Sequence, residues 1–197
     1  MKKEDIIAFF DRLAPQWDGD MIKSDKIIET ILENAKITAG SEILDVACGT
    51  GVMIPYYLNR GVAKVTAIDI SPEMVKIARE KFPREDVEIL CADVETAVFS
   101  QKFSNVMVYN AFPHFPDPAR IIEILCKLAK PGGTVTVAHG MSRQEIDARH
   151  QGTASKVSIG LMDENRLAEL MGQYGEVTCK LSTDKMYQVT VTVKTDN

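Results

Sequence analysis

Apolar positions along this chain switch repeatedly between short continuous runs and stripes at helical spacing, a pattern that predicts an α/β fold. A first helix is expected over about residues 3 to 13. Ile27, Ile28, Ile31, Leu32 and Ala35 then recur at helical spacing, and Gly40 ends that segment before a strand at Glu42 to Val46. A helix should follow the glycines at 49 and 51, then a strand at Ala63 to Ile68. Ser71 as N-cap and Pro72 at the first helical position open the next helix, whose stripe is Met74, Val75, Ala78 and Phe82. Strands fit Val87 to Cys91 and Phe103 to Tyr109. Asp117-Pro118 repeats the cap signature before a stripe of Ile121, Ile122, Leu125 and Leu128, which Lys130-Pro131-Gly132-Gly133 stops.

A fifth strand fits Thr134 to Ala138, followed by a polar helical stretch near Arg143 to His150 and a helix around Glu164 to Met171. The tail differs: Glu176 to Leu181 and Met186 to Val193 are β-rich runs joined by four residues, enough for an antiparallel hairpin and too few for a parallel crossover. The expectation is a mostly parallel sheet with helices on both faces and one antiparallel strand closing an edge. No repeat, low-complexity tract or linker divides the chain, so residues 1–197 read as one domain.

Composition narrows the partners. With 23 Lys+Arg against 28 Asp+Glu the net charge is −5, which supplies no general attraction for nucleic acid or anionic lipid. Cys48, Cys91, Cys126 and Cys179 are far apart with no CxxC pair, as expected of a protein in a reducing cytoplasm. Acidic residues interrupt the N-terminal stretch, and no apolar run reaches membrane-spanning length, so the chain reads as soluble and unprocessed. Its oligomeric state is not legible.

The candidate chemistry begins at Ile43-Leu44-Asp45-Val46-Ala47-Cys48-Gly49-Thr50-Gly51, an apolar strand running into a glycine turn and a helix. Glycines let the backbone approach a ligand closely while the N–H groups of the following helix face it. Asp45 discriminates between ligands, because a carboxylate here opposes a pyrophosphate and favours a donor bearing an ammonium and a sulfonium. Ile54 also occupies the place of the third glycine of a dinucleotide fingerprint, which argues against a nicotinamide oxidoreductase. Asp69, 20 residues after Gly49, stands where an acid accepts both ribose hydroxyls. Asp93, at the end of the third strand, is placed to accept an adenine amine.

These residues together resemble the class I S-adenosylmethionine-dependent methyltransferases, in particular the group that includes ubiquinone and menaquinone biosynthesis methyltransferases. The resemblance spans about residues 5 to 140 and rests on the DxxxGxG loop, Asp69, Asp93, the segment Asn110-Ala111-Phe112-Pro113-His114-Phe115 and the Lys-Pro-Gly-Gly turn. The stretch from Phe9 to Asp18 also resembles that group's N-terminal helix and lid, with Trp17 where a tyrosine is common. What it implies is a Rossmann-like, doubly wound, seven-stranded sheet whose last strand is antiparallel. It further implies an S-adenosylmethionine site built from Trp17, Asp45, Ala47, Cys48, Gly49, Gly51, Asp69, Ile70, Met74, Ala92, Asp93, Val94, Asn110 and Ala111. Residues 1–40 would form a helical lid, residues 141–172 an acceptor-side segment, and the acceptor would be a small or medium-sized molecule.

Methyl transfer from a sulfonium needs in-line positioning and exclusion of water, and a base only where the acceptor must lose a proton. His114, His139 and His150 all fall on the expected acceptor side and are the candidate catalytic residues. Two alternatives remain open at this stage: the three histidines converge on a metal, or the domain binds S-adenosylmethionine without turnover.

Overall fold

A computed structural model describes residues 1–150 and 153–195, with the side chains of residues 150 and 153 outside that description. In chain order the elements are α1 (Lys3–Leu13), a 3-10 turn (Ala14–Gln16), α2 (Trp17–Asp20), α3 (Asp25–Asn34), β1 (Glu42–Val46), α4 (Ile54–Asn59), β2 (Lys64–Asp69), α5 (Pro72–Lys81), β3 (Val87–Cys91) and β4 (Phe103–Tyr109). A 3-10 turn (Phe112–His114) leads to α6 (Pro118–Leu128), β5 (Ala129–His139) and α7 (Arg143–His150), and another (Thr153–Val157) to α8 (Glu164–Gly172), β6 (Gly175–Ser182) and β7 (Tyr187–Val193). The caps are those the sequence signals: Ser71 Oγ accepts Met74 N–H and Asp117 accepts Arg120 N–H, each ahead of a proline in the first turn.

The seven strands lie in the order β3-β2-β1-β4-β5-β7-β6. The first five are parallel, and β7 runs antiparallel to both of its neighbours. The expected antiparallel last strand is therefore present, but it does not close an edge: β7 is inserted between β5 and β6, and β6 is the edge strand. Burial explains the order. Tyr187 to Val191 are buried on both faces of the sheet, whereas the outward residues of β6, among them Glu176 and Lys180, meet solvent.

A second difference lies at Lys130-Pro131-Gly132-Gly133. These residues interrupt β5 as a bulge rather than preceding it, since Ala129 pairs Phe103 and Thr134 pairs Asn105. Gly133 is required there, because a Cβ would fall 2.7 Å from the Ser104 carbonyl oxygen. Two apolar clusters cover the sheet. One joins it to α3, α4 and α5, the other to α6 and α8. Among the described residues no helix is long and apolar enough to cross a membrane. All five leading strands point their C-terminal ends the same way, so the loops that leave them share one rim.

Candidate functional site

A cavity opens at that rim. Its walls include Trp17, Asp45, Ala47, Cys48, Gly49, Asp69, Ile70, Met74, Ala92, Asp93, Val94, Asn110, Ala111 and His114. Backbone strain concentrates at the same place. Ala47 and Asn110, the residues that leave β1 and β4, adopt φ of 56° and 55°, left-handed values that cost a residue with a Cβ about 1–2 kcal/mol. Such strain persists where the surroundings fix the chain for a purpose. Gly49 shares this conformation, and a Cβ on it would stand 3.7 Å from Trp17 Nε1, so the turn is bare toward the cavity.

Gly51 has another role than the one its motif implies. It does not line the cavity, and at φ +86° its Cβ would lie 2.7 Å from the Phe82 ring and 2.9 Å from Ile54 Cδ1. It lets the loop pack closely against Phe82, the residue that caps α5.

Three carboxyls hang from successive strand ends. Asp69 ends β2, and its two oxygens accept Gly49 N–H at 2.8 Å and Ser71 N–H at 2.9 Å, leaving further lone pairs toward the cavity. Burial raises its pKa while those N–H donors draw it back. Asp45 is 1% exposed and its Oδ2 has no hydrogen-bond partner, a state that costs a buried polar atom about 1–3 kcal/mol. Burial first, and then the charge of Asp69, push its pKa up to about 8, with a small opposing pull from the Tyr57 phenol. The same burial and both acids hold the Cys48 thiol protonated, so it is not a nucleophile. Asp93 accepts Glu95 N–H through Oδ1 at 2.9 Å and pairs through Oδ2 with Lys3 Nζ at 2.5 Å.

That ion pair belongs to a roof over the cavity. α1 brings Lys3, Ile6 and Phe10 above it, and Phe10 packs edge-on against Trp17 and His114 at 5.6 and 4.9 Å. Polar bonds fasten the roof at two points: Ser71 Oγ donates to Asp11 at 2.5 Å, and Asp18 accepts Thr50 Oγ1 at 2.5 Å while pairing with Lys81. Lys3, Phe10, Met21 and Tyr109 also line the cavity, although no motif in the sequence assigns them to a site. The apolar stripe of α1 signals a packed helix but not what it packs over.

The histidines do not share a place. His114 lines the cavity, and its Nδ1 lies 2.6 Å from the Val157 carbonyl oxygen. A carbonyl only accepts, so the hydrogen sits on Nδ1 and, in the neutral ring, Nε2 carries the lone pair. His139 is a correction to the expectation. Side chains alternate along β5, so while Ala138 faces the cluster that holds Tyr109, His139 turns to the other face, against Tyr187 with ring centres 6.0 Å apart, and does not line the cavity. The side chain of His150 lies outside the described residues. Among the described residues no three His, Cys, Asp or Glu side chains group closely enough to hold a metal ion.

A family model described as a methyltransferase domain matches residues 44–137, the stretch from β1 through β5. A malonyl-[acyl-carrier protein] O-methyltransferase of Acetivibrio thermocellus is 32% identical over 163 residues, covering 80% of this chain and 57% of that protein. Residues 44–137 thus carry a methyltransferase domain. A ubiquinone biosynthesis O-methyltransferase of Xanthomonas oryzae is 37% identical over 99 residues, covering 48% of this chain and 41% of the relative. The chain thus spans about half the length of the curated relatives it matches. Two solved structures share the fold. The N-methyltransferase NodS of Bradyrhizobium japonicum, in complex with S-adenosyl-L-homocysteine, aligns with a TM-score of 0.74 at 13% identity over 95% of this chain and 97% of that one. A chain from the complex of the Haloferax volcanii Trm112 activator with a putative methyltransferase aligns with a TM-score of 0.79 at 16% identity over 98% and 99%.

Proposed function

We propose that this methyltransferase transfers a methyl group from S-adenosylmethionine to an oxygen nucleophile on a small or medium-sized acceptor, by in-line displacement. The observation that carries the reading is the convergence of Asp45, Asp69 and Asp93, from the ends of β1, β2 and β3, on one cavity beneath a bare glycine turn. The residues present fit the donor, since the unpaired Asp45 Oδ2 is a buried acceptor waiting for a cation. Bound there, S-adenosylmethionine supplies a sulfonium-activated methyl group.

The chain's own residues do the rest. Asp69 accepts from the ribose hydroxyls, Asp93 accepts from the adenine amine, and Gly49 leaves room beside Trp17. Ile70, Met74, Ala92 and Val94 supply apolar walls, and Cys48 fills the turn as a small neutral side chain. Asn110 and Ala111 shape the end nearest the acceptor. α1, within an N-terminal lid of residues 1–40, excludes water, which strengthens each polar contact inside. His114 receives the acceptor's proton on Nε2, its ring held by the Val157 carbonyl in the segment of residues 141–172 on the acceptor side. The oxygen acceptor is supported by two relatives named as O-methyltransferases.

Incubation with S-adenosylmethionine and a panel of carboxylic and phenolic acceptors tests the reading by mass spectrometry. S-adenosylhomocysteine is expected in proportion to methyl ester or ether. Donor binding with no product above background across oxygen, nitrogen, sulfur and carbon acceptors would favour a binding module instead.

A further inference from the structure

Asp93 is claimed twice. It is the acid proposed for the adenine amine, and its Oδ2 already holds Lys3 Nζ at 2.5 Å, while Oδ1 is taken by Glu95 N–H. The same ammonium reaches the Glu95 carboxylate at 3.4 Å, and Lys3, Asp93 and Glu95 all line the cavity. A carboxylate oxygen filled by an ammonium is a poor acceptor for a second amine, so Lys3 and a base amine compete for one place. Space is also short: the open volume beneath the roof is about 140 Å³, less than half of the roughly 300 Å³ at which small-molecule sites begin.

Three features let Lys3 leave. Its side chain is 37% exposed, so the pair with Asp93 is a weak one. Glu95 keeps a second cation, Arg120 Nε at 3.3 Å, and is not stranded when the ammonium departs. α1 itself is lightly held at this end: of its 11 residues only Ile6 is buried, and no side chain caps its N-terminus. Its firmer hold is at the other end, where Asp11 accepts Ser71 Oγ and Ala14 is buried.

We infer that Lys3 is a built-in competitor of the methyl donor: its ammonium occupies Asp93 until the adenine amine displaces it, and the first turn of α1 gives way as the donor enters. This rests on the donor reading proposed above and adds its regulation. The displacement slows every ligand that needs Asp93 and no ligand that does without it.

The chain's single tryptophan, Trp17, lines the cavity and packs against Phe10, so its fluorescence reports entry of a ligand. Stopped-flow mixing compares S-adenosylhomocysteine with its analogue bearing hydrogen in place of the adenine amine, and calorimetry gives the matching affinities. Lys3→Met should associate with S-adenosylhomocysteine roughly two- to fivefold faster at an unchanged dissociation rate, because the competitor is removed from the free protein alone. Lys3→Arg should restore the slow association, since a guanidinium also fills the carboxylate. The analogue leaves Asp93 to the ammonium, so its rates should be the same in all three proteins, which also reports that the variants remain folded. Unchanged association of S-adenosylhomocysteine with Lys3→Met, or an equal gain for both ligands, overturns the inference. Faster dissociation from Lys3→Met does so too, because it makes Lys3 a contact of the bound ligand. A wild-type protein that binds neither ligand overturns the donor reading itself, and this inference with it.

Discussion

Asp45 should make donor binding release a proton. In the ligand-free protein its pKa of about 8 leaves the carboxyl about nine-tenths protonated at pH 7. An ammonium placed against Oδ2 favours the ionised form and draws the pKa well below 7, so about 0.9 proton should leave per ligand bound at pH 7, about half at pH 8 and little at pH 9. Titration of S-adenosylhomocysteine by calorimetry in phosphate and in Tris, whose ionisation enthalpies differ widely, counts these protons from the change in observed heat. Asp45→Asn should abolish the difference between buffers. Equal heats in the two buffers for the wild type at pH 7, or an unchanged difference in the variant, would refute the reasoning.

The same carboxyl has a stability signature in the absence of ligand. Its folded pKa lies above the ordinary aspartate value, so its contribution is fully present below about pH 4 and is lost as the pH rises toward 8, by up to ~1.4 kcal/mol per unit. Asp45→Asn should flatten that slope in urea titrations.

Gly51→Ala combines a left-handed Cβ, costing about 1–2 kcal/mol, with a clash against Phe82 and Ile54 costing about 1–3 kcal/mol. Its urea midpoint should fall accordingly, and Phe82→Leu in the same chain should recover part of the loss; an unchanged midpoint would contradict the packing role. Ser71→Ala removes both the cap of α5 and the bond to Asp11, so stability should drop by about 1–2 kcal/mol and hydrogen exchange should quicken across α1. Exchange confined to α5 would separate the roof from this anchor. Lys3→Met keeps the apolar stem but frees Asp93, and S-adenosylhomocysteine should bind two- to fivefold tighter, with the gain shrinking at high salt. Weaker binding would mean that Lys3 assists the ligand.

The strands and the three acids were legible because each follows from a short-range rule. A parallel strand buried on both faces reads as an apolar run, and the residue leaving its C-terminal end is the one free to face the cavity, as Asp69 does. Whatever depends on contacts across the sequence was not. Gly51 looks identical to Gly49 in the motif, and only the approach of Phe82 separates a packing glycine from a cavity-lining one. His139 follows Ala138, which packs in the cluster that holds Tyr109, and strand alternation turns it to the other side. Tyr109 reads as an ordinary strand terminus, and only the folded chain shows that it lines the cavity. The place of β7 was hidden for the same reason: a hairpin fixes which strands pair, but not which of the two reaches the older sheet.

That placement has a bearing on synthesis. The ribosome delivers β5 and β6 before the strand that must slot between them, so until residues 187–193 emerge, one flank of β5 presents bare amide and carbonyl groups. From the completion of β5 until β7 emerges, the rim that carries the cavity is thus flanked by an open seam. An extended segment from another nascent polypeptide competes for that slot, and the last strand to appear is also the one that shuts such intruders out.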